Sequence, residues 1–243
     1  MQVDWKAISA QVYENLCEGR VSEAFRLADQ AAAEAELDPW LSDHLRLISG
    51  ELYNTHKDID GYIALSAERM KRLQTAIENA SVEKHDAIVA AIGGTNYNLA
   101  SNTWPGWDEP GISIAPEHLG IGMVASQRCL HVRQKYPDIA FRYTVSMAHW
   151  VVGAHLLAAS RCDEAAAQFA KATEACPQLS SERLMANGYL ALSQLLAHPY
   201  DRACIAHYDA ALDSLKAATG DGDAIFYRDQ ILVARRVLGS EGS

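Results

Sequence analysis

Positive charge is scarce in this chain. Its 21 lysines and arginines face 31 aspartates and glutamates, for a net charge of −10. General nucleic-acid binding draws on a concentrated basic surface, and no polybasic run supplies one, so no nucleic-acid partner is expected. Nor is there a basic cluster to attract anionic lipid. Long apolar runs are missing too, since none approaches the roughly 18 residues that span a bilayer. The opening MQVDWKAISA has neither the basic nor the apolar region of a secretory leader. No membrane partner is expected, and the cytoplasm is the expected location. The five cysteines, Cys17, Cys129, Cys162, Cys176 and Cys204, are odd in number and scattered. They fit small core residues of a reducing compartment better than a disulfide framework.

Recognisable catalytic patterns are also missing. No phosphate-binding glycine loop occurs, because Gly93-Gly94 lies in an apolar helical stretch without the lysine and flanking glycines. There is no Gly-x-Ser-x-Gly elbow and no His-Glu-x-x-His pair. His149 and His155 are six apart and Cys129 and His131 two apart, so neither pair shares a helix face. Cys204 and His207 do share one, but two ligands alone do not make a metal site. The nearest approach to acid–base chemistry is Asp108, Glu109 and His118; loop carboxylates of this kind more simply face solvent or cap a helix. The expectation is therefore no metal, no cofactor and no enzyme.

Proline and glycine, at 7 and 15 of 243 residues, are few, while alanine is abundant and 49% of residues are hydrophobic. This composition excludes wholesale disorder and favours long helices over many short strands. Apolar spacing at i, i+3, i+4 and i+7 runs through nearly the whole chain. It predicts an all-α protein of eleven helices, near 4–18, 20–36, 39–55, 58–79, 81–102, 115–136, 138–159, 162–175, 180–197, 200–218 and 222–238. Asp38-Pro39 and Ala115-Pro116-Glu117 put proline at a first helical position. Asp163 and Glu164 complement a helix N-terminus, and Pro137 and Pro177 end the helices before them. From Gly239 onward a small polar tail is expected to fray.

A spacing then repeats. Gly153 is followed by Ala165, Phe169, Ala172 and Pro177 at steps of twelve, four, three and five, with Trp150 and Leu156 as further apolar positions. Small residues at 153 and 165 would let two antiparallel helices approach, with Phe169 filling the space between pairs. Gly94 and Tyr97, then Ala125, Cys129, Val132 and Pro137, echo the ladder around an insertion. Ala24, Ala28 and Ala31, and Gly188 with Cys204, Tyr208 and Ala211, echo it more loosely. The ladder resembles that of the tetratricopeptide-repeat family. The resemblance is good over 146–177, interrupted over 87–137 and loose in the flanks, and it fits helices 39–55 and 58–79 poorly. It implies one domain over 1–243, with antiparallel helix pairs stacked as a right-handed α-solenoid and 222–238 as terminal capping helix. The main alternative is a non-repetitive helical bundle.

The insertion, residues 103–115, reads TWPGWDEPGISIA, and its Pro-Gly pairs predict an ordered loop. Long ordered loops often carry function. Trp104 and Trp107 either offer flat surfaces to a ligand or pack down and staple the loop; both readings stand. Trp5, Trp40 and Trp150 are expected in the core. In the helix leading into the loop, Thr95, Asn98 and Asn102 share one face. In the repeat family the first helix of each pair lines the concave surface, so these groups could bond an extended peptide. A solvated face or internal bonding explains them equally simply. Some family members clamp acidic chaperone tails with lysine, arginine and asparagine, but the following helices offer Trp150, Val151 and Leu157 there instead, so that role is not expected.

The expected function is a protein–protein interaction module, a scaffold taking a peptide or protein on its concave face near Thr95, Asn98, Asn102, Trp104, Trp107 and Asp108. The alternative is a small-molecule or carbohydrate-binding sensor or enzyme whose pocket is closed by loop 103–115. A homo-oligomer built on an alanine-rich face, such as that of helix 20–36, is a third reading.

Overall fold

The computed structural model describes residues 3–38, 40–177, 180–218 and 222–239, and these form an all-α protein without strands. Eleven α-helices run in order among them: α1 (Trp5–Cys17), α2 (Val21–Glu34), α3 (Asp43–Glu51), α4 (Ile59–Glu78), α5 (Val82–Asn102), α6 (Pro116–Lys135), α7 (Val145–Ala158), α8 (Cys162–Ala175), α9 (Ser181–Ala197), α10 (Arg202–Ala217) and α11 (Gly222–Gly239). A π-turn, Leu52–His56, extends α3, and a 3₁₀ turn, Pro105–Trp107, lies in the long insertion.

The helix starts follow from capping chemistry. Asp4, Asp58, Thr144, Ser180 and Asp201 each accept a first-turn backbone N–H through the side chain. Pro116 opens α6, and the Ala115 N–H donates to His118 Nδ1 at 3.2 Å, so a histidine supplies the cap that the sequence lacks at 115. Asp163 and Glu164 sit in the first turn of α8 as expected. Pro137 and Pro177 follow the ends of α6 and α8.

Two expected boundaries are corrected. Helix 39–55 starts only at Asp43, because the Asp38 carboxylate accepts from the Trp40 N–H at 2.9 Å and makes a turn, and Ser42 takes a left-handed φ of 47°; its expected end is kept by the π-turn to His56. Pro39, expected at a first helical position, lies outside the described residues. Helix 138–159 starts only at Val145. Phe141 and Tyr143 look like helical core positions but anchor the preceding loop instead: Tyr143 stacks flat on Tyr97 at 4.9 Å and lies 5.4 Å from Phe141. At the other end α11 continues through Gly239, where fraying was expected; the tail beyond lies outside the described residues.

The described chain divides into two compact units. The first holds residues 1–95, 111–113 and 138–140, and the second 96–110, 114–137 and 141–243, so α5 runs through both. In the first, α1 packs on α2 and α3, and α3 packs on α4. Val12, Ala24, Ala28, Leu45, Ile48, Leu52 and Leu65 form its main core, with Trp5 at the edge. Trp40 packs on a smaller cluster of Leu73, Ala76 and Ile88. Gly111, at φ +84°, lies against the Lys57 stem, where a Cβ would crowd it at 3.1 Å.

In the second unit consecutive helices pack from α6 to α11, with further contacts of α7 on α9 and α9 on α11. Helix α7 is buried on nearly every side, from Ala148 to Leu157, which explains why its sequence is apolar all round rather than striped. Gly153 makes the α7–α8 approach possible. A Cβ there would stand 2.8 Å from the Phe169 ring, and Ala165 and Phe169 are fully buried opposite. Gly188 gives Ile231 of α11 the same access to α9, and Gly122 of α6 receives the His155 ring and the Thr103 hydroxyl.

Candidate functional site

The 103–110 segment is held by aromatic packing inside the second unit. Trp104 is 1% exposed and its indole Nε1 donates to the Ala154 carbonyl on α7 at 3.0 Å. Around it, edge-on, stand Trp107 at 5.3 Å, Trp150 at 5.4 Å and Tyr189 at 5.8 Å. Gly106 folds over the ring so closely that any Cβ would overlap it. Tyr189 ties this nest to α11, its hydroxyl meeting Gln230 Oε1 at 2.8 Å, and burial drives its ionisation far upward. Trp150 completes the nest with an indole N–H that is buried and has no protein partner.

Trp107 stands at the rim. It is half-buried, and its Nε1 donates to the Ser101 carbonyl at 2.7 Å. Its outer side stacks against Phe226 of α11 at 6.4 Å and 27°. Phe226 is itself 54% exposed, and Ile225 and Leu232 are exposed on the same helix. Asp108 follows at a left-handed φ of 49°, exposed, and its carboxylate accepts from Arg236 Nη2 at 2.5 Å. The 3₁₀ turn therefore lies across α7 and α11, with α9 touched through Tyr189.

The predicted residues thus have different surroundings. Trp104 is interior, so its ring offers no surface to a ligand. Trp107 and Asp108 line the rim. Asn98 is exposed and Asn102 half-buried. Thr95 is withdrawn from the stripe: it is buried, its hydroxyl donates to the Ala91 carbonyl at 2.7 Å, and it accepts from Arg69 Nη1 at 2.6 Å. Arg69, also buried, binds Asp43 Oδ1 at 2.9 Å with its second terminal nitrogen. Thr95 is thus one of three acceptors, with the Asp43 carboxylate and the Leu41 carbonyl, that make a buried guanidinium tolerable. Helical spacing placed Thr95 with Asn98, but nothing local revealed an arginine arriving from α4. Asp108 is engaged by Arg236 and His118 by the Ala115 backbone.

Sequence reasoning missed Phe226, the most exposed aromatic at the rim. Its only signal was an Ile-Phe-Tyr run at the start of the last helix. It weighed His155 only as a metal partner of His149 and did not foresee its burial: the residue is fully buried on α7, its Nε2 donates to the Ala100 carbonyl at 2.8 Å, and Nδ1 has no partner. Burial outweighs that bond and depresses the ring's pKa to about 4, so the imidazole is neutral. Two clefts lie away from the loop. One of about 420 Å³ in the first unit is lined by Tyr13, Cys17, His56 and Lys57, with Tyr13 and His56 stacked at 4.4 Å. One of about 500 Å³ in the second unit is lined by Cys162, His198, Cys204 and His207. Among the described residues no group of three or more His, Cys, Asp or Glu is placed to hold a metal ion. Among them, too, no helix is long and apolar enough to cross a membrane.

Comparison with protein-family models, curated proteins and solved structures finds no match to the chain.

Proposed function

We propose that the chain is a protein-interaction module that takes a peptide or protein segment at the rim formed by Trp107, Asp108 and Phe226. In this reading the helix pairs of the second unit stack in the tetratricopeptide-repeat manner, as a right-handed α-solenoid. The first helices of successive pairs, α7, α9 and α11, make the concave binding face, and the loop lies on that face. The small-residue contact at Gly153 supports the pairing of α7 with α8, because it is a position where that ladder requires close approach.

The observation that carries the binding reading is Phe226. A phenyl ring 54% exposed to water has an unfavourable hydration that a partner would relieve. This ring is also backed by Trp107, whose indole is itself hydrogen-bonded, so little side-chain freedom is lost on contact. Preorganised aromatics of this kind are the usual anchors of protein interfaces. Asn98 and Asn102, on the helix leading into the loop, add amides able to bond a peptide backbone. Neither Thr95 nor Trp104 takes part, because both are occupied inside the fold. The reading in which the loop closes over a small ligand draws no support from this packing, since Trp104 itself fills the space between α7 and α9. The module binds without turnover, and its use is that of a scaffold.

The test is selection of a displayed random-peptide library on wild-type protein, followed by binding of the selected peptides to Phe226→Ser and Asn98→Ala variants. Matching helical circular dichroism comes first. The expected result is a recurring apolar-anchor motif whose affinity falls at least about tenfold on Phe226→Ser, the scale of one lost hot-spot contact. Peptides that bind both variants like wild type would overturn the site.

A further inference from the structure

Helix α6 carries a face that neither the core nor the interaction reading uses. Its buried side, from His118 to Cys129, turns inward, and the helix packs on α7. On the outer side Glu117, Ile121, Val124 and Arg128 follow one another at steps of four, three and four. That spacing sets the side chains on one stripe and is the seam spacing of a coiled coil. Ile121 is 37% and Val124 46% exposed, and Glu117 and Arg128 are exposed beside them. Among the described residues neither of these two charges has a hydrogen bond or an ion pair. Arg26, Arg161 and Arg236, by contrast, each hold a carboxylate of their own chain.

The stripe is antisymmetric. From either end it runs charge, aliphatic, aliphatic, charge, with an acid at one end and a base at the other. A second copy laid antiparallel, with a two-fold axis level with the Gly122–Met123 bond, matches every position. Ile121 of each copy then meets Val124 of the other, and Glu117 of each meets Arg128 of the other. Such a contact is isologous, and opposite charges close both ends of its apolar centre. A parallel copy would set like charges side by side, which costs energy. An unrelated partner has no need of this symmetry. Two other faces lack it. The alanine-rich face of α2, the oligomer surface expected from sequence, is interior, since Ala24, Ala28, Ala31 and Ala32 are buried. On α11, Asp229 between the exposed Ile225 and Leu232 is engaged by Arg228, and Arg236 by Asp108.

We propose that this face of α6 is a self-association surface, on which two copies of the chain pair antiparallel through Ile121 and Val124, clasped at both ends by Glu117 and Arg128. The seam runs for about 17 Å of helix, short for a standard interface, so the dimer is weak, with a dissociation constant on the order of 100 µM. It uses no residue of the Trp107–Phe226 rim, so the two proposals stand or fall separately.

Sedimentation equilibrium of the full chain in reductant, from about 5 to 500 µM, tests it through the average mass. Matching helical circular dichroism is required of every variant. Wild type is expected to rise from monomer toward dimer over this range. Glu117→Arg and Arg128→Glu should each weaken association about tenfold, because each turns two attractions into two repulsions. Ile121→Ser, also at an exposed position, should weaken it similarly by removing the apolar centre. An equimolar mixture of the Glu117→Arg and Arg128→Glu chains sets opposite charges against each other at both ends again, and its mass should return to that of wild type. A wild-type mass that stays monomeric throughout would overturn the proposal. So would a dimer that survives both charge reversals, or a mixture no heavier than its separate components.

Discussion

Replacing Trp104 by alanine tests the reading of the loop as an internal staple. The ring is 1% exposed, so truncation removes nearly all the area that an indole buries, about 150–250 Å². At about 25 cal/mol per Å² that area is worth about 4–6 kcal/mol, and measured Trp→Ala costs in cores run about 3–5 kcal/mol. The lost bond to the Ala154 carbonyl adds about 1 kcal/mol, while collapse of Gly106 and Trp107 into the gap recovers a part. The expected cost is about 4 kcal/mol, against about 1–2 kcal/mol for Trp107→Ala at the rim. Urea unfolding followed by far-ultraviolet circular dichroism measures both. If transitions of the two units separate, only the transition containing α7 to α11 should move. A Trp104→Ala loss below about 1 kcal/mol, or a larger loss at Trp107 than at Trp104, would refute the interior placement.

Other substitutions probe the packing from different sides. Gly153→Ala should destabilise by about 1–2 kcal/mol, because the Phe169 ring must shift and the gain in helix propensity only partly offsets it; Phe169→Leu in the same chain should restore most of the loss. Gly120→Ala points its Cβ into open space and should instead stabilise by about 0.5–1 kcal/mol, read as a higher thermal midpoint. Thr95→Val should cost about 1–3 kcal/mol in urea by leaving Arg69 short of an acceptor. His155 sets a pH dependence. Its folded pKa of about 4 lies below the ordinary 6.5, so the unfolded chain binds the proton first. Its contribution is complete above pH 6.5, lost progressively as pH falls toward 4 and constant below; the total is about 3 kcal/mol. Burial lowers His44 as well, in the same direction. Urea midpoints across this range should fall less steeply in His155→Gln than in wild type.

Much of the fold was legible because the signals were local. Helix α8 falls where its acidic first turn and following proline put it, and Gly153, Ala165 and Phe169 meet as their spacing demands. Where legibility failed, a distant partner decided the outcome. Phe141 and Tyr143 carry the apolar pattern of a helix, yet Tyr97 captures Tyr143 in a stack and Thr144 caps the chain three residues before Met147. The candidate site was half legible. Its composition marked the loop as ordered, but two tryptophans three residues apart look alike in sequence. Only Gly106, by letting the backbone fold over one ring, sends Trp104 inward and leaves Trp107 outside. Thr95 and Asn98 divide for a similar reason, since an arginine from another helix claims one of them.

The aromatic nest also has an optical consequence. Trp104, Trp107 and Trp150 lie with ring centres 5.3–5.9 Å apart at fixed, steep mutual angles. Indoles this close share excitation, so their transitions mix and acquire a handedness that no single ring has. The docked loop therefore carries its own chromophore, visible in the near-ultraviolet circular dichroism and in the tryptophan emission. Undocking the segment would separate the three oscillators and erase that signal while the helices around it remained folded, without any dye or label attached to the chain.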